Sequence, residues 1–253
     1  MWSFIVTIFN TIIFEPLLNL LAAVLHVVPG NSMGLAIILV IVFVRLALYI
    51  PSDKSLKTQH KLSELRPHLQ ELSKKHKDNP QERAKAQMEL YKEHGVNPLG
   101  SLFFPLFVQL PIFFGLYRVF LTEFNGNGFG PYLYSFIPNP SSVEMVFLGV
   151  DLTAPSVAFA LAAGLAQFIQ ARSLVQQAPK STTPKTKGEP DFQASMNMSM
   201  MYVLPVMVAG FGLTLPAGLS LYWVVSSLFS FGQQYIIQRR MKKLETSKVS
   251  KEN

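Results

Sequence analysis

Five long apolar runs dominate this chain, and most of its polar residues fall between them. Leu35 to Ile50 is the first, broken by one charge at Arg45. Pro98 to Leu121, Val157 to Ala171, Met198 to Leu215 and Leu219 to Ile237 follow. The apolar residues cluster rather than repeat with a helical or strand period. A helix needs roughly 20 apolar residues to cross a hydrocarbon core about 30 Å thick. The pattern therefore predicts an all-α membrane protein with five transmembrane helices. Only Thr214-Leu215-Pro216-Ala217-Gly218 joins the fourth and fifth runs, a tight turn that predicts antiparallel neighbours.

Two segments break this pattern. In residues 1–28, Ser3, Thr7, Asn10, Thr11, Glu15, Asn19 and His26 fall within one half of a helical wheel. That predicts an amphipathic helix lying in the membrane interface, with a sixth span as the rival reading. A basic leader region and a small-residue cleavage site are absent there, which argues against a signal sequence. Residues 52–97 read as a charged helical hairpin. Leu62, Leu65, Leu69 and Leu72 form one narrow apolar stripe, and Lys77-Asp78-Asn79-Pro80 breaks the helix. Asn79 is placed to cap a second helix, with Pro80 at its first position and Glu82 three residues after the cap. Gly95 suits its C-terminal stop. Low apolar content predicts a mobile hairpin. Ala178 to Pro190 reads as a flexible loop.

Charge adds an orientation. Lys and Arg outnumber Asp and Glu by ten to seven in residues 52–97, three to two in 174–195 and six to two in 239–253. Residues 122–156 hold Glu123, Glu144 and Asp151, with Arg and Lys absent. The positive-inside bias then puts the basic segments and the C-terminus in the cytoplasm. Arg118 is the exception, read as snorkelling toward the outer interface. The expected organisation is an N-terminal amphipathic helix (1–30), a five-span core (31–238) and a basic tail (239–253).

The candidate chemistry is sparse. Arg45 sits about two-thirds of the way through its run. A charge there costs at least about 2.5–3.5 kcal/mol on insertion scales, so it faces either a hydrated site or, by snorkelling, the interface. Acidic residues are absent from all five runs, which favours a wet site open to an external anion. Gln109, Gln167, Gln170, Gln233 and Gln234 are the other polar groups. Gln167 and Gln170, three apart, share one helix face, reading either as interhelical hydrogen bonds or as part of a polar groove with Arg45. Met196, Met198, Met200, Met201 and Met207 suit core gap-filling or an adaptable surface. Tyr222 and Trp223 suit an interfacial belt or the groove wall.

Enzymatic readings fail on inventory. The five runs contain neither His nor Asp, and the chain has 0 Cys, so a thiol nucleophile and a thiolate metal site are excluded. Phosphate-binding glycine loops and metal-ligand spacings are absent too. His60, His68, His76 and His94 fall in the hairpin, read as solvent-facing. No cofactor and no catalytic residue are expected. An anion transporter would also want a buried arginine, but usually shows inverted repeats and broken helices, which the sequence lacks. A lipid-binding scaffold would explain the spans but not the glutamine face.

The order of segments, with Leu90-Tyr91-Lys92-Glu93-His94-Gly95-Val96-Asn97-Pro98-Leu99-Gly100, Gln109-Leu110-Pro111-Ile112-Phe113 and Pro216-Ala217-Gly218-Leu219-Ser220-Leu221-Tyr222-Trp223, strongly resembles the YidC membrane protein insertases in their compact form. The resemblance implies a chaperone-like insertase of the bacterial inner membrane that receives hydrophobic segments of nascent proteins. It implies a hydrophilic groove that Arg45, Gln167 and Gln170 line, with Gln109, Tyr222 and Trp223 as further candidates for its wall. It makes Arg239, Arg240, Lys242 and Lys243 contacts for the ribosome or for lipid, and adds the Sec translocon as a further candidate partner. No specific nucleic-acid sequence is implied.

Overall fold

The computed structural model describes residues 2–76, 79–124, 129–140, 142–176 and 198–252. Its N-terminal segment is helical from α1 (Trp2–Phe9) through a π-helical turn (Asn10–Phe14) into α2 (Glu15–Leu25). A proline ring clashes with the carbonyl four residues before it. Widening the helix just ahead of Pro16 relieves that clash. The same device recurs at the π-helical turn Ser199–Val203, just ahead of Pro205.

The wheel pattern of this segment does not predict its buried amides. Val6–Leu25 is long and apolar enough to cross a membrane, and its amides do not face water. Asn19 is buried, donating to the Tyr132 carbonyl (2.9 Å) and accepting from the Tyr134 amide (2.7 Å). Asn10 accepts from Arg118, whose guanidinium also lies 4.6 Å from the Phe14 ring centre. Arg118 is therefore tied to the N-terminal helix rather than snorkelling. Asn10 and Asn19 of the polar wheel face serve internal hydrogen bonds, Thr7 and Thr11 stay exposed, and Leu18, Leu21 and Leu25 enter the core.

Ser32 caps α3 (Met33–Ala47), its hydroxyl accepting the Leu35 amide. The first apolar run does not continue to Ile50 as one straight helix. α4 (Tyr49–Glu64) leaves α3 at a bend of 65°, because Pro51 cannot keep the Ala47 carbonyl in register. The 15 residues of α3 make it about 22 Å long at 1.5 Å per residue. That is short for a hydrocarbon core of about 30 Å. Arg45 consequently lies in the last turn of α3, where the carbonyl end of the helix dipole favours a cation.

The hairpin segment holds one break the sequence reading lacked. Pro67 ends α4, and α5 (Arg66–Lys75) restarts with Leu65 as its cap. α6 (Pro80–Glu93) begins as expected, with Asn79 Oδ1 accepting the Glu82 amide at 3.2 Å. It stops at Gly95, whose φ is +60°. Leu65, Leu69 and Val96 form a small buried cluster of their own.

α7 (Pro98–Phe124) leads to a loop with a two-stranded antiparallel hairpin, β1 (Val146–Phe147) and β2 (Val150–Asp151). α8 (Val157–Gln176), α9 (Leu204–Gly212) and α10 (Ala217–Glu252) complete the order. α9 and α10 are joined by a tight turn but do not lie side by side: each packs along α8 instead. Glycine permits this. A β-carbon on Gly164 of α8 would lie 2.9 Å from the Ala209 Cβ, and one on Gly212 would lie 2.9 Å from the Ala160 backbone. Close small-residue contacts of this kind hold helices together in lipid.

Among the described residues, Val6–Leu25 and Val157–Leu174 are long and apolar enough to cross a membrane, and the bent α3–α4 pair is a third if taken as one span. Phe107–Leu121 and Ser199–Gly212 are apolar but shorter. α10 is long, yet Ser226, Ser227, Gln233 and Gln234 interrupt its apolar run, and all four are buried. Outward-facing positions are apolar instead, among them Phe43, Phe107, Leu161 and Val206. A surface that inverts the usual polarity in this way requires an apolar solvent.

Candidate functional site

Three helices converge on Arg45. Its Nη2 donates to Gln109 Oε1 of α7 at 2.9 Å and to Ser226 Oγ of α10. The Ser226 hydroxyl in turn donates to the same Gln109 oxygen at 3.3 Å. One turn earlier on α10, the Tyr222 hydroxyl donates to the Gln109 carbonyl at 3.4 Å. Every acceptor that the described residues offer the guanidinium is neutral, and the salt bridges among them all lie between Asp53 and Glu82. The arginine is held in place without its charge being cancelled. An oriented cation with only neutral partners attracts an incoming anionic group.

A second polar contact lies one residue along α10. Ser227 donates to Gln167 Oε1 of α8 at 3.0 Å, so two adjacent serines tie α10 to α3, α7 and α8. Gln170 is half-buried on α8, sharing by its spacing the Gln167 face. Further down α10, Gln233 Nε2 donates to the Tyr49 carbonyl at 3.2 Å, just past the α3–α4 bend. The buried Gln234 Oε1 has no partner among the described residues.

Several sequence expectations change here. Tyr222 is fully buried against the Arg45 cluster, so it is no interfacial belt residue. Trp223 lies against Phe113, ring centres 5.3 Å apart and planes tilted by 59°, beside the cluster rather than in it. Met198 and Met207 are exposed and so do not fill a core gap, whereas Met200 and Met201 are half-buried. Met196 and the Ala178 to Pro190 loop lie outside the described residues. Arg239 and Arg240 are exposed on α10, Arg239 at 4.5 Å from the Tyr235 ring centre. The side chains of Lys242 and Lys243 lie outside the described residues. His60 and His76 sit near Glu64 and Glu82, at 3.2 and 3.3 Å, rather than free in solvent. Among the described residues no group of His, Cys, Asp or Glu could hold a metal.

The serines are what the sequence reading missed. Ser226, Ser227 and Ser230, followed by Gln233 and Gln234, recur at spacings of three, four and seven. That periodicity marks a polar helix face. Their small size hid it within a run that averages apolar.

A helical bundle sheathed in apolar side chains and holding an uncompensated cation inside it is a polytopic membrane protein. The family description that matches is the 60Kd inner membrane protein, over residues 24–245. Among individual relatives, membrane protein insertase YidC of Helicobacter pylori is 33% identical over 210 residues, covering 83% of this chain and 33% of the relative. That of Alkalilimnicola ehrlichii is 32% identical over 243 residues, covering 96% and 38%. That of Oceanobacillus iheyensis is 32% identical over 238 residues, covering 92% and 85%. This chain belongs to the 60 kDa inner membrane protein family, that of the YidC insertases, and is a bacterial membrane protein. It spans about a third of the first two relatives, at 33% and 38%, and most of the third, at 85%.

Proposed function

We propose that this protein is a membrane protein insertase whose working site is a hydrophilic groove around Arg45. The supporting observation is the α3 guanidinium that α7 and α10 orient through acceptors that, among the described residues, are all neutral. In this reading α3, α7, α8, α9 with its preceding turn, and α10 are five spans, and the N-terminal helix lies in the outer interface. The Asn19, His26 and Asn31 contacts to Tyr132, Pro138 and Ser142 favour that placement, because they lay the loop after α7 along the end of this helix. The basic segments and the C-terminus face the cytoplasm, as their Lys and Arg excess favours. The charged hairpin 52–97 receives substrate, helped by its low apolar burial. Arg239 and Arg240, with Lys242 and Lys243, present positive charge to a ribosome or to anionic lipid. The Sec translocon is a further candidate partner.

The mechanism needs no covalent step. A nascent segment carries a polar tail that must pass the hydrocarbon, and burying such groups without partners costs several kcal/mol each. Gln109, Gln167, Ser226 and Ser227 offer hydrogen bonds part-way across, and Arg45 attracts acidic groups. The short α3 invites local thinning of the bilayer, which shortens the path. The apolar part of the segment then moves into lipid, and its burial drives the step without ATP.

The test is reconstitution into vesicles with two assays side by side. Insertion of a short single-span substrate, read by protease protection, is expected, with no uptake of small anions above empty vesicles. Anion uptake without substrate protection would make the Arg45 cluster a transport site and overturn the proposal.

A further inference from the structure

The hairpin β1–β2 takes no part in the Arg45 cluster, and its turn breaks a strong rule. Leu148 and Gly149, which join its strands, have φ of +52° and +77°. A two-residue turn with both central residues at positive φ normally takes Asn-Gly, because a bulky side chain resists left-handed backbone. Here a leucine occupies the first position, 83% exposed. Its neighbour Phe147 points the other way, into the bundle, and packs on Gly34 so closely that a β-carbon there would lie 2.2 Å from the ring. Gly34 is the second residue of α3. The hairpin is pinned at that level by Met33 donating to the Glu144 carbonyl (2.9 Å) and Glu144 donating to the Asn31 carbonyl (3.1 Å). Two other apolar side chains stand out at this end, Val27 at 82% and Phe136 at 78% exposure. They flank the contact between His26 and the Pro138 carbonyl (2.9 Å).

We infer that this hairpin is a lipid anchor, with Leu148 inserted at the headgroup–acyl boundary of the leaflet that α3 enters at Met33. The seat of Phe147 on Gly34 sets the depth: the turn lies beside the first turn of a membrane-entering helix, with its leucine directed away from the bundle. Charge points to the acyl boundary rather than to a headgroup. Residues 122–156 contain no Lys or Arg and include Glu123, Glu144 and Asp151, so anionic headgroups offer this loop no attraction. The two carboxylates flanking the hairpin are turned back on their own chain. Glu144 accepts the Val146 amide at 2.8 Å, and Asp151 accepts the Thr153 hydroxyl at 2.6 Å and its amide at 2.8 Å. The Thr153 hydroxyl, then its amide, hold the Asp151 carboxyl below the usual carboxylate range. It stays ionised and marks the wet edge beside the buried tip. What drives insertion is apolar transfer, and it holds whatever the protein does with its substrates.

The chain has 0 Cys, so Leu148→Cys gives a single site for an environment-sensitive fluorophore. In vesicles of pure phosphatidylcholine the label at 148 should emit to the blue and be quenched by lipids carrying a nitroxide near the headgroup. The same label at Ser142→Cys should behave as in water. Adding phosphatidylglycerol should leave both readings unchanged. Introducing Gly34→Leu, which evicts Phe147 from its seat, should weaken quenching at 148. Water-like emission at 148 overturns the anchor and leaves the tip as a surface for a protein partner. Quenching that appears only with phosphatidylglycerol overturns it as well, since headgroup attraction would then be the cause.

Discussion

Replacing Arg45 with alanine should lower insertion of a substrate with an acidic tail by about tenfold or more, whereas Arg45→Lys should retain most activity. The magnitude follows from losing one charge-assisted interaction worth about 1.5–3 kcal/mol, where about 1.4 kcal/mol is a factor of ten. The tolerance of lysine follows from the geometry. Arginine and lysine are not interchangeable where the planar fork grips a carboxylate with two nitrogens. Here a single nitrogen, Nη2, makes the contacts to both Gln109 and Ser226. An ammonium has three donors on one nitrogen and can repeat that pattern. Insertion is to be measured for paired substrates, with acidic and with neutralised tails, in wild type and both variants. Wild-type insertion of the acidic-tailed substrate by Arg45→Ala would make Arg45 a cationic end for α3 and nothing more.

The second large effect concerns stability, and it carries its own control. Gly164→Leu places a branched side chain where even a β-carbon would lie 2.9 Å from the Ala209 Cβ and 3.1 Å from the Pro205 carbonyl. The α8–α9 pair must separate, and overpacking costs about 1–3 kcal/mol. For a chain of this size that lowers the midpoint of thermal unfolding by roughly 2–12 °C. Gly210→Ala lies on the same helix as Ala209 but meets nothing within 4 Å, so its midpoint should barely move. Unfolding in detergent of the two variants against wild type is the measurement. Equal shifts would mean that α8 does not depend on close approach to α9.

Much of the fold was legible from the sequence. Asn79, Pro80, Glu82 and Gly95 announce α6 because capping is local chemistry, decided within a few residues. The apolar runs announce the long helices for a similar reason. Tertiary effects were not legible. Pro51 could be seen, but not that it would end α3 before Ile50 and carry Arg45 into the last turn. The wheel position of Asn10 and Asn19 suggested contact with water, yet Arg118 and the Tyr132–Tyr134 segment take up both amides. Nothing in the short turn between α9 and α10 says that α8 will lie against both. For the site, Arg45 and Gln109 stood out because charge and amide are rare in apolar runs. Ser226 and Ser227 did not, although they connect Arg45 and Gln167 to the same helix.

An insertase groove around Arg45 admits water from one side only. Single cysteines at Arg45, Gln167 and Gln170 provide the most direct measurement, since the chain has 0 Cys of its own. In sealed vesicles of known orientation, a membrane-impermeant maleimide should modify all three from the cytoplasmic side and none from the opposite side. Equal labelling from both sides would reveal a through-pore, and no labelling from either would reveal a dry core; both results contradict the insertase groove.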